Sequence, residues 1–421
     1  MTRALLIGLC INEDYDDTLK SLYELEELGL VLSIKTIDKV IQKSTKVTSS
    51  FYIGSGKVLE IKNILEVLDI ELVIFDTTLS PAQLRNLEKE LDVEIMDRSF
   101  LILQIFARNA RSRESFLEVS LAQKIYMLPR LVGINKSLSR QGGSSFNAKG
   151  PGETKLELDR RKLSVEIEKI RKELYQIDIQ KENNKKRRLS EGMKIVSLIG
   201  YTNAGKSSTM NSLIKMLSSN NEEVLEKNQV FATLDTKVKR LRKQNEPPFL
   251  LIDTVGFIDK LPHELINSFK STLKDSLDAD LLLVVVDSVG DVEKQIDVTH
   301  TILKEINAFD IERLYVFTKC DLLLNKKMYE NDIIEVSNKT GEGLENLVNR
   351  IYGQLFKNSS VYDIKIEHHR GDIINYLKSS SHIVNMIFDD TYTTIRAVLE
   401  DDKYYSILKM LGVKNEESKN N

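Results

Sequence analysis

The sequence predicts an α/β protein, and three observations carry that prediction. Short apolar runs alternate with amphipathic stretches twice, in residues 1–97 and again in residues 193–356. The second stretch opens with an apolar run that passes straight into a Gly-rich turn and then a helical pattern. Between the two lies a long, highly charged segment of helical periodicity. Alternation of this kind calls for parallel sheets covered by helices. The expected organisation is an α/β subdomain over residues 1–97, a helical hairpin arm with a basic, Gly-rich tip loop over 98–192, a larger α/β domain over 193–356, and a small α/β domain over 361–413.

The elements follow in order. Ala4 to Cys10 reads as a buried strand and Leu19 to Leu28 as an amphipathic helix closed by Gly29. Leu30 to Ile37 is a second strand, Gly56 to Leu68 a helix, and Leu72 to Phe75 a third strand. Ser80-Pro81 opens another helix, since Pro is favoured in a first helical turn, and Val93 to Met96 is the fourth strand. One helix is expected from Arg98 to Leu128, stopped by Pro129. Gly133 to Thr154 reads as a loop, and Leu156 to Leu189 as a helix with Leu163, Ile167, Ile170, Leu174 and Ile177 on one seam. Glu191-Gly192 breaks it. Lys194 to Ile199, Phe249 to Ile252 and Leu314 to Phe317 are strands of the second α/β domain, and Ser208 to Leu217 is the helix after its first strand. Lys357 to Ser360 is a polar linker, Val361 to Val413 holds two or three short strands and one or two helices, and the last residues should fray.

Composition narrows the class. Apolar residues make up 41% of the chain, enough to bury a real core, and the two cysteines, Cys10 and Cys320, offer neither a disulfide framework nor metal spacing. No targeting segment is expected at the start, and no apolar run approaches the roughly 18 residues that span a bilayer. These points predict a cytoplasmic protein. The formal net charge of -3 gives no global reason to expect nucleic-acid binding, so that argument must rest on charge distribution.

The strongest motif is Gly200-Tyr201-Thr202-Asn203-Ala204-Gly205-Lys206-Ser207, a G-x-x-x-x-G-K-S loop in its required strand-loop-helix setting. Gly200, Asn203, Ala204, Gly205, Lys206, Ser207 and Ser208 are expected to wrap phosphates with successive N–H groups at a helix N-terminus. Lys206 neutralises phosphate charge and Ser207 offers a hydroxyl to Mg²⁺. Asp253, ending a neighbouring strand in Asp253-Thr254-Val255-Gly256, holds the metal through water, and the Gly256 N–H faces the terminal phosphate. Thr233, in the run beginning at Phe231, is either a Mg²⁺ ligand that reports the γ-phosphate or a plain surface residue. Lys206, Thr233 and Gly256 are therefore the candidate catalytic set.

Thr318-Lys319-Cys320-Asp321 follows another strand. The Asp321 carboxylate can accept from guanine N1 and N2, and the Lys319 stem can lie along the ring, so GTP and GDP are the expected ligands. Asn203 has two readings: a potassium ligand beside the phosphates, or a loop residue bonded to its own backbone. Gly54-Ser55-Gly56-Lys57 reads as a plain helix-opening turn, with a second phosphate site as the alternative.

These pieces resemble the translation-factor class of GTPases. Thr318 stands where their usual Asn-Lys-x-Asp has Asn, which leaves ATP use open. Ser337-Asn338-Lys339 stands where the last motif is normally Ser-Ala-Lys. A closer resemblance lies in Tyr52 to Val58, Leu79 to Glu88, Leu128 to Gly133, Ser139 to Gly143, Gly150 to Thr154, Asp159 to Arg161, Phe231 to Asp235 and Asp253 to Ile258. In that order these runs, covering about residues 50 to 350, are similar to the HflX family. After Asp235 that family usually has Pro-Thr-Thr-Arg-Arg, where this chain has Thr236-Lys237-Val238-Lys239-Arg240. The resemblance implies a monomeric GTPase that binds the large ribosomal subunit and its RNA and splits stalled or idle ribosomes, associated with ribosomes or a membrane surface. A nucleotide-gated scaffold acting on a protein partner is the alternative. A redox enzyme is disfavoured, because no G-x-G-x-x-G follows the first strand.

Two further readings concern activation and RNA. Phe257 occupies the place where many small GTPases carry a water-orienting Gln, which predicts slow intrinsic hydrolysis. Lys and Arg gather from Arg108 to Arg188, and Arg130, Arg140, Lys149, Lys155, Arg160 and Arg161 are the candidates to face RNA. For the charged helix itself, a solvated face is the competing reading.

Overall fold

The computed structural model describes residues 1–11, 14–131, 151–190, 193–217, 237–244, 246–259, 278–323 and 333–411. These fall into two compact units, the first running from Met1 to Asp178 and including Ile258 and Asp259, the second holding the remaining described residues.

The first unit opens with β1 (Thr2–Cys10), buried from Ala4 onward, as suits an apolar run covered on both faces. α1 (Tyr15–Val31), β2 (Ile34–Lys43), α2 (Ser55–Leu68), β3 (Leu72–Phe75), α3 (Pro81–Leu91) and β4 (Glu94–Asp97) complete a parallel sheet in the order β2-β1-β3-β4. Leu5, Ile7, Val58, Ile61, Val73, Phe75 and Leu87 fill one core cluster. α3 begins with a capping box, in which Ser80 N donates to Gln83 Oε1 at 2.9 Å and Gln83 N to Ser80 Oγ at 3.3 Å, ahead of Pro81. α4 (Arg98–Asn109) and α5 (Arg113–Leu131) follow, and α6 (Pro151–Ser190) packs Leu163, Ile167, Ile170 and Leu174 against Leu117, Leu121, Ile125 and Leu128 of α5.

Several boundaries depart from the sequence expectation. Gly29 does not close α1; it is buried inside the helix, and Leu30 and Val31, expected in β2, form the last turn. The chain turns only at Ser33, whose φ is +62°. The single helix expected over Arg98 to Leu128 is two, because Ser112 Oγ accepts from Ser115 N at 3.1 Å and starts α5 afresh. Pro129 lies within the last turn of α5 instead of stopping it. Residues 151–154, expected as loop, begin α6, with Pro151 in the first position that Pro favours.

The second unit is built on β5 (Lys194–Gly200), α7 (Lys206–Leu217), β6 (Lys237–Leu241), β7 (Phe249–Asp253), β8 (Leu281–Asp287), α8 (Val292–Glu305), β9 (Arg313–Thr318), β10 (Ile333–Glu335) and α9 (Leu344–Leu355). The sheet order is β10-β9-β8-β5-β7-β6, parallel throughout except for β6, the antiparallel edge. Val196, Leu198, Leu251, Leu283 and Val285 pack with Met210, Leu213, Leu347 and Ile351 on one face. Ile195, Ile199, Ile252, Leu282 and Val284 pack with Ile302 and Leu303 on the other. After it come β11 (Ser359–Glu367), α10 (Gly371–Ser380), β12 (His382–Phe388), β13 (Tyr392–Glu400) and α11 (Asp401–Met410), an antiparallel sheet ordered β11-β13-β12 with helices on one face. β11 already starts at Ser359, within the stretch expected to be a linker. Among the described residues no helix is long and apolar enough to cross a membrane.

A charged network closes the carboxyl edge of the first sheet. Arg98, 1% exposed, pairs with Asp76 at 2.5 Å and Glu24 at 2.9 Å. Asp97, fully buried, accepts from Leu79 N at 3.0 Å, Phe100 N at 2.8 Å and Arg130 at 3.2 Å. Arg130 also donates to the Tyr126 and Leu79 carbonyls at 2.6 and 3.1 Å and lies 3.2 Å over the Tyr126 ring. Arg130 is thus engaged inside the first unit and does not face outward as a candidate RNA contact should. Burial pushes the Asp97 carboxyl up, against the pull of the Phe100 and Leu79 amides and the Arg130 charge.

Removing the Arg130 cation leaves that buried carboxylate without its counter-ion. Arg130→Ala is expected to lower the stability of the first unit by about 3 kcal/mol at neutral pH, measured by urea unfolding. A carboxyl raised in the folded state takes up protons more readily folded than unfolded. Stability therefore rises as pH falls through the folded pKa, and the deficit of the variant should narrow on acidification. An unchanged unfolding curve would remove Arg130 from the network.

Candidate nucleotide site

The site residues gather at the carboxyl ends of β5, β7, β8 and β9 and in the turn after β10, the edge at which open α/β sheets bind ligands. β5 delivers Gly200 at φ +142°, where an added Cβ would lie 2.2 Å from the Val285 carbonyl oxygen, so only Gly lets β5 and β8 meet here. The loop then bonds to the segment after β7. Phe257 N donates to Gly200 O at 3.0 Å and Thr202 N to Phe257 O at 2.6 Å. The Phe257 ring is buried with Ile195, Ile199, Leu282 and Val284. It faces the core and offers nothing to a water on the phosphate.

Lys206 starts α7 and is 7% exposed. Its Nζ donates to the carbonyls of Gly200 at 3.0 Å and Tyr201 at 2.6 Å. Burial pushes its pKa down to about 8, with the Asp253 charge pulling the other way. Ser207 Oγ donates to Asp253 Oδ2 at 2.7 Å, so the hydroxyl and carboxylate expected to share a metal meet directly. A Cβ on Gly256 would come within 2.9 Å of Lys206 Nζ and of Thr202 Cα, which places this Gly against the loop. Asn203 is exposed with φ +60° and makes no side-chain hydrogen bond among the described residues. Ser208 lies half-buried in the first turn of α7.

The base-side residues come from β9 and β10. Thr318 is fully buried, and its Oγ1 donates to Ala204 O at 2.7 Å, with Val286 O at 3.2 Å. It braces the phosphate loop from below. Lys319, at φ +58°, pairs with Asp287 at 2.6 Å, and Asp321 is exposed in the short 3-10 turn Cys320–Leu322. Ser337 is buried, its Oγ accepting from Thr340 N at 3.1 Å, and Lys339 is exposed. Asn338 Nδ2 donates to Thr209 Oγ1 at 3.0 Å, and Thr209 Oγ1 donates in turn to Gly205 O at 3.0 Å.

Phe231, Thr233, Arg140 and Lys149 lie outside the described residues. Lys155 falls on α6 with its side chain outside them, whereas Arg160 and Arg161 are exposed on that helix. Gly54 is the N-cap of α2, its N–H bonded to Gln42 Oε1 at 2.9 Å, and Lys57 pairs with Glu60 at 2.7 Å, so this turn is occupied by its own side chains. Sequence reasoning missed Asp287 and Thr209. Asp287 had a signal, since it ends an apolar strand with a carboxylate as Asp253 does. Thr209 looks like any helical residue in the sequence.

Comparison with known proteins covers most of the chain. Residues 19–107 match the family described as GTP-binding GTPase N-terminal, 109–188 the GTP-binding GTPase Middle Region, and 195–319 the 50S ribosome-binding GTPase. GTPase HflX of Caldanaerobacter subterraneus subsp. tengcongensis is 37% identical over 94% of this chain and 90% of its own length. GTPase HflX of Lacrimispora saccharolytica is 39% identical over 86% of this chain and 84% of its own. A GTP-binding protein from the hyperthermophilic archaeon Sulfolobus solfataricus, solved in complex with GDP, aligns at a TM-score of 0.43 and 24% identity, over 85% of this chain and 99% of that one.

The depressed Lys206 pKa gives nucleotide binding a pH dependence. Below about pH 8 the ammonium is already charged and affinity for GDP should be flat. Above it the free protein has lost that charge, which a bound phosphate favours, so each binding event takes up a proton and affinity should fall by up to about tenfold per pH unit. Calorimetric titration between about pH 7 and pH 9 in buffers of different ionisation enthalpy measures both effects. Flat affinity with no proton uptake would mean that Lys206 does not titrate there.

Proposed function

The chain belongs to the HflX family of GTPases, and from that premise we propose that it docks on the large ribosomal subunit and couples GTP hydrolysis to the splitting of stalled or idle ribosomes. That it binds GTP and hydrolyses it follows from the family itself. The observation that carries the ribosomal reading is the match of residues 195–319 to a 50S ribosome-binding GTPase. In this reading the protein acts as a monomer in the cytoplasm, on the ribosome.

The roles proposed for the site follow its geometry. Lys206 exchanges two backbone carbonyls for phosphate oxygens, and the N–H groups of the loop and of the α7 N-terminus hold the anion. Ser207 and Asp253 form a hydroxyl–carboxylate pair of hard oxygen donors, which fits Mg²⁺ carried on nucleotide phosphates and water. Bound there, the ion would neutralise charge on the phosphates. Thr233 joins this set as the residue that senses the γ-phosphate, and the Gly256 N–H faces it. Asp321 reads the guanine edge with Lys319 along the ring and Ser337, Asn338 and Lys339 beside it. Arg160 and Arg161, exposed on α6, remain the proposed RNA contacts on the arm, together with Arg140, Lys149 and Lys155 of the tip and its root.

Phe257 explains why a partner is needed. Its ring is packed in the core, so no side chain at that position can orient the attacking water, and the docked subunit supplies the missing assistance. GTP hydrolysis by the purified protein should be slow and should rise steeply with large ribosomal subunits, while ATP run in parallel shows how far Thr318 relaxes base choice. A rate indifferent to subunits would favour the nucleotide-gated scaffold. Asn203, exposed and without a side-chain bond among the described residues, is proposed to hold K⁺ beside the phosphates, where a cation stabilises developing charge. Hydrolysis should then run faster in potassium than in sodium buffer, and Asn203→Ala should erase the difference; equal wild-type rates would overturn this role.

A further inference from the structure

One strongly charged surface of the second unit plays no part in the site described above. From Thr236 to Asn245 the chain holds Lys237, Lys239, Arg240, Arg242 and Lys243 and not one acidic residue, in a protein whose net charge is -3. The first three lie on β6, an edge strand of the six-stranded sheet among the described residues, and Arg242 and Lys243 continue the chain past its end. Side chains alternate along a strand, so Lys237 and Lys239 share the face of buried Leu241 while Val238 and Arg240 take the opposite one. Cations therefore project from both faces of one exposed edge. Arg240, Arg242 and Lys243 are exposed, and no ion pair joins Arg240 or Arg242 to a carboxylate among the described residues. Their charge is felt nearby: His382 at the start of β12 is held below its usual range by burial and then by Arg242 and Arg240.

We propose that the β6 edge, centred on Arg240 and Arg242, is a docking surface for an RNA phosphate backbone. The inference rests on the ribosomal reading and deepens it by naming a contact outside the helical arm. Charge complementarity selects the occupant. Two guanidiniums spaced two residues apart, about 6.8 Å along an extended chain, present planar forks suited to phosphate oxygens. Val238 is the one apolar side chain exposed on the strand, too little for a lipid surface or an apolar protein partner. Position gives the contact a consequence. β6 is paired along its whole length with β7, and Lys237 stands opposite Asp253, so RNA on this edge lies one strand from the nucleotide site.

The test is the salt dependence of binding to purified large ribosomal subunits. Each phosphate neutralised contributes about 0.7 to 0.9 to the slope of log K against log salt. Replacing both Arg240 and Arg242 by Gln should lower that slope by about 1.4 to 1.8 between about 50 and 200 mM salt, with the melting temperature unchanged. Arg240→Lys with Arg242→Lys should keep it. Lys365→Gln with Lys378→Gln, on the C-terminal domain, should leave it unchanged. Wild-type binding with the same slope in the Gln variant would overturn this surface alone. The same slope accompanied by self-association would show that the cations only guard a sheet edge against strand pairing, and would overturn it too. Wild-type protein that ignores subunits would overturn the ribosomal reading and this surface with it.

Discussion

The nucleotide site depends on a pair of backbone hydrogen bonds. Between β5 and α7 the chain must run through a loop whose N–H groups point at a ligand, leaving little to hold the loop in shape. Phe257 supplies the hold: its N–H and carbonyl clasp Gly200 and Thr202 while its ring is sunk in the core. A backbone fixed in this way is organised before phosphate arrives, so binding and catalysis need no rearrangement of the dipoles that face the charge. The same residue cannot also reach toward solvent to position water. Rigidity of the loop and the slow unaided hydrolysis proposed above would thus be two results of one placement.

Thr318 and Asn338 extend that argument to the base side. Both differ from the residues usual at their motif positions, and both turn toward the phosphate loop. Thr318 bonds Ala204 O, and Asn338 reaches Thr209, which bonds Gly205 O. Thr318 lacks the length and the amide to touch a purine edge while making its bond to Ala204. In the proposed reading, guanine selection therefore falls more heavily on Asp321. Side-chain hydrogen bonds, together with packing, join the two ends of the nucleotide site, and a change at the base end will be felt at the phosphates.

Much of this was legible in the sequence, for identifiable reasons. A short apolar run such as Leu72–Phe75 suits a strand covered on both faces, and G-x-x-x-x-G-K-S between a strand and a helix has one common structural meaning. Gly29 misled because a small residue can lie on the buried face of a helix as readily as it ends one. Ser112 was missed because an N-cap in the middle of a helical pattern is a single hydroxyl against a long periodic signal. Arg130 misled most: placed beside a basic, Gly-rich segment, it reads as a surface cation. Its true partner, Asp97, lies far away in sequence, and local pattern carries no information about such a pair. Thr209 was hidden in the same way, since Asn338 is brought close only by the fold, whereas Asp287 ends an apolar strand as Asp253 does and carried a signal.

Arg130, Arg240 and Arg242 show why the placement of a charge matters more than its count. Arg130 sits where a buried carboxylate already claims it, so its guanidinium is unavailable to a partner, and its removal should register as instability. Arg240 sits on an edge strand and Arg242 just past its end, where no described carboxylate lies within ion-pairing distance, so their field extends into solvent and should register in the salt dependence of binding. A near-neutral total charge is compatible with both, because acids and bases cancel in the sum without meeting in space. Where an RNA partner is concerned, the informative quantity is therefore the local excess left after internal pairs are removed, and one such excess lies beside the strand that ends at Asp253.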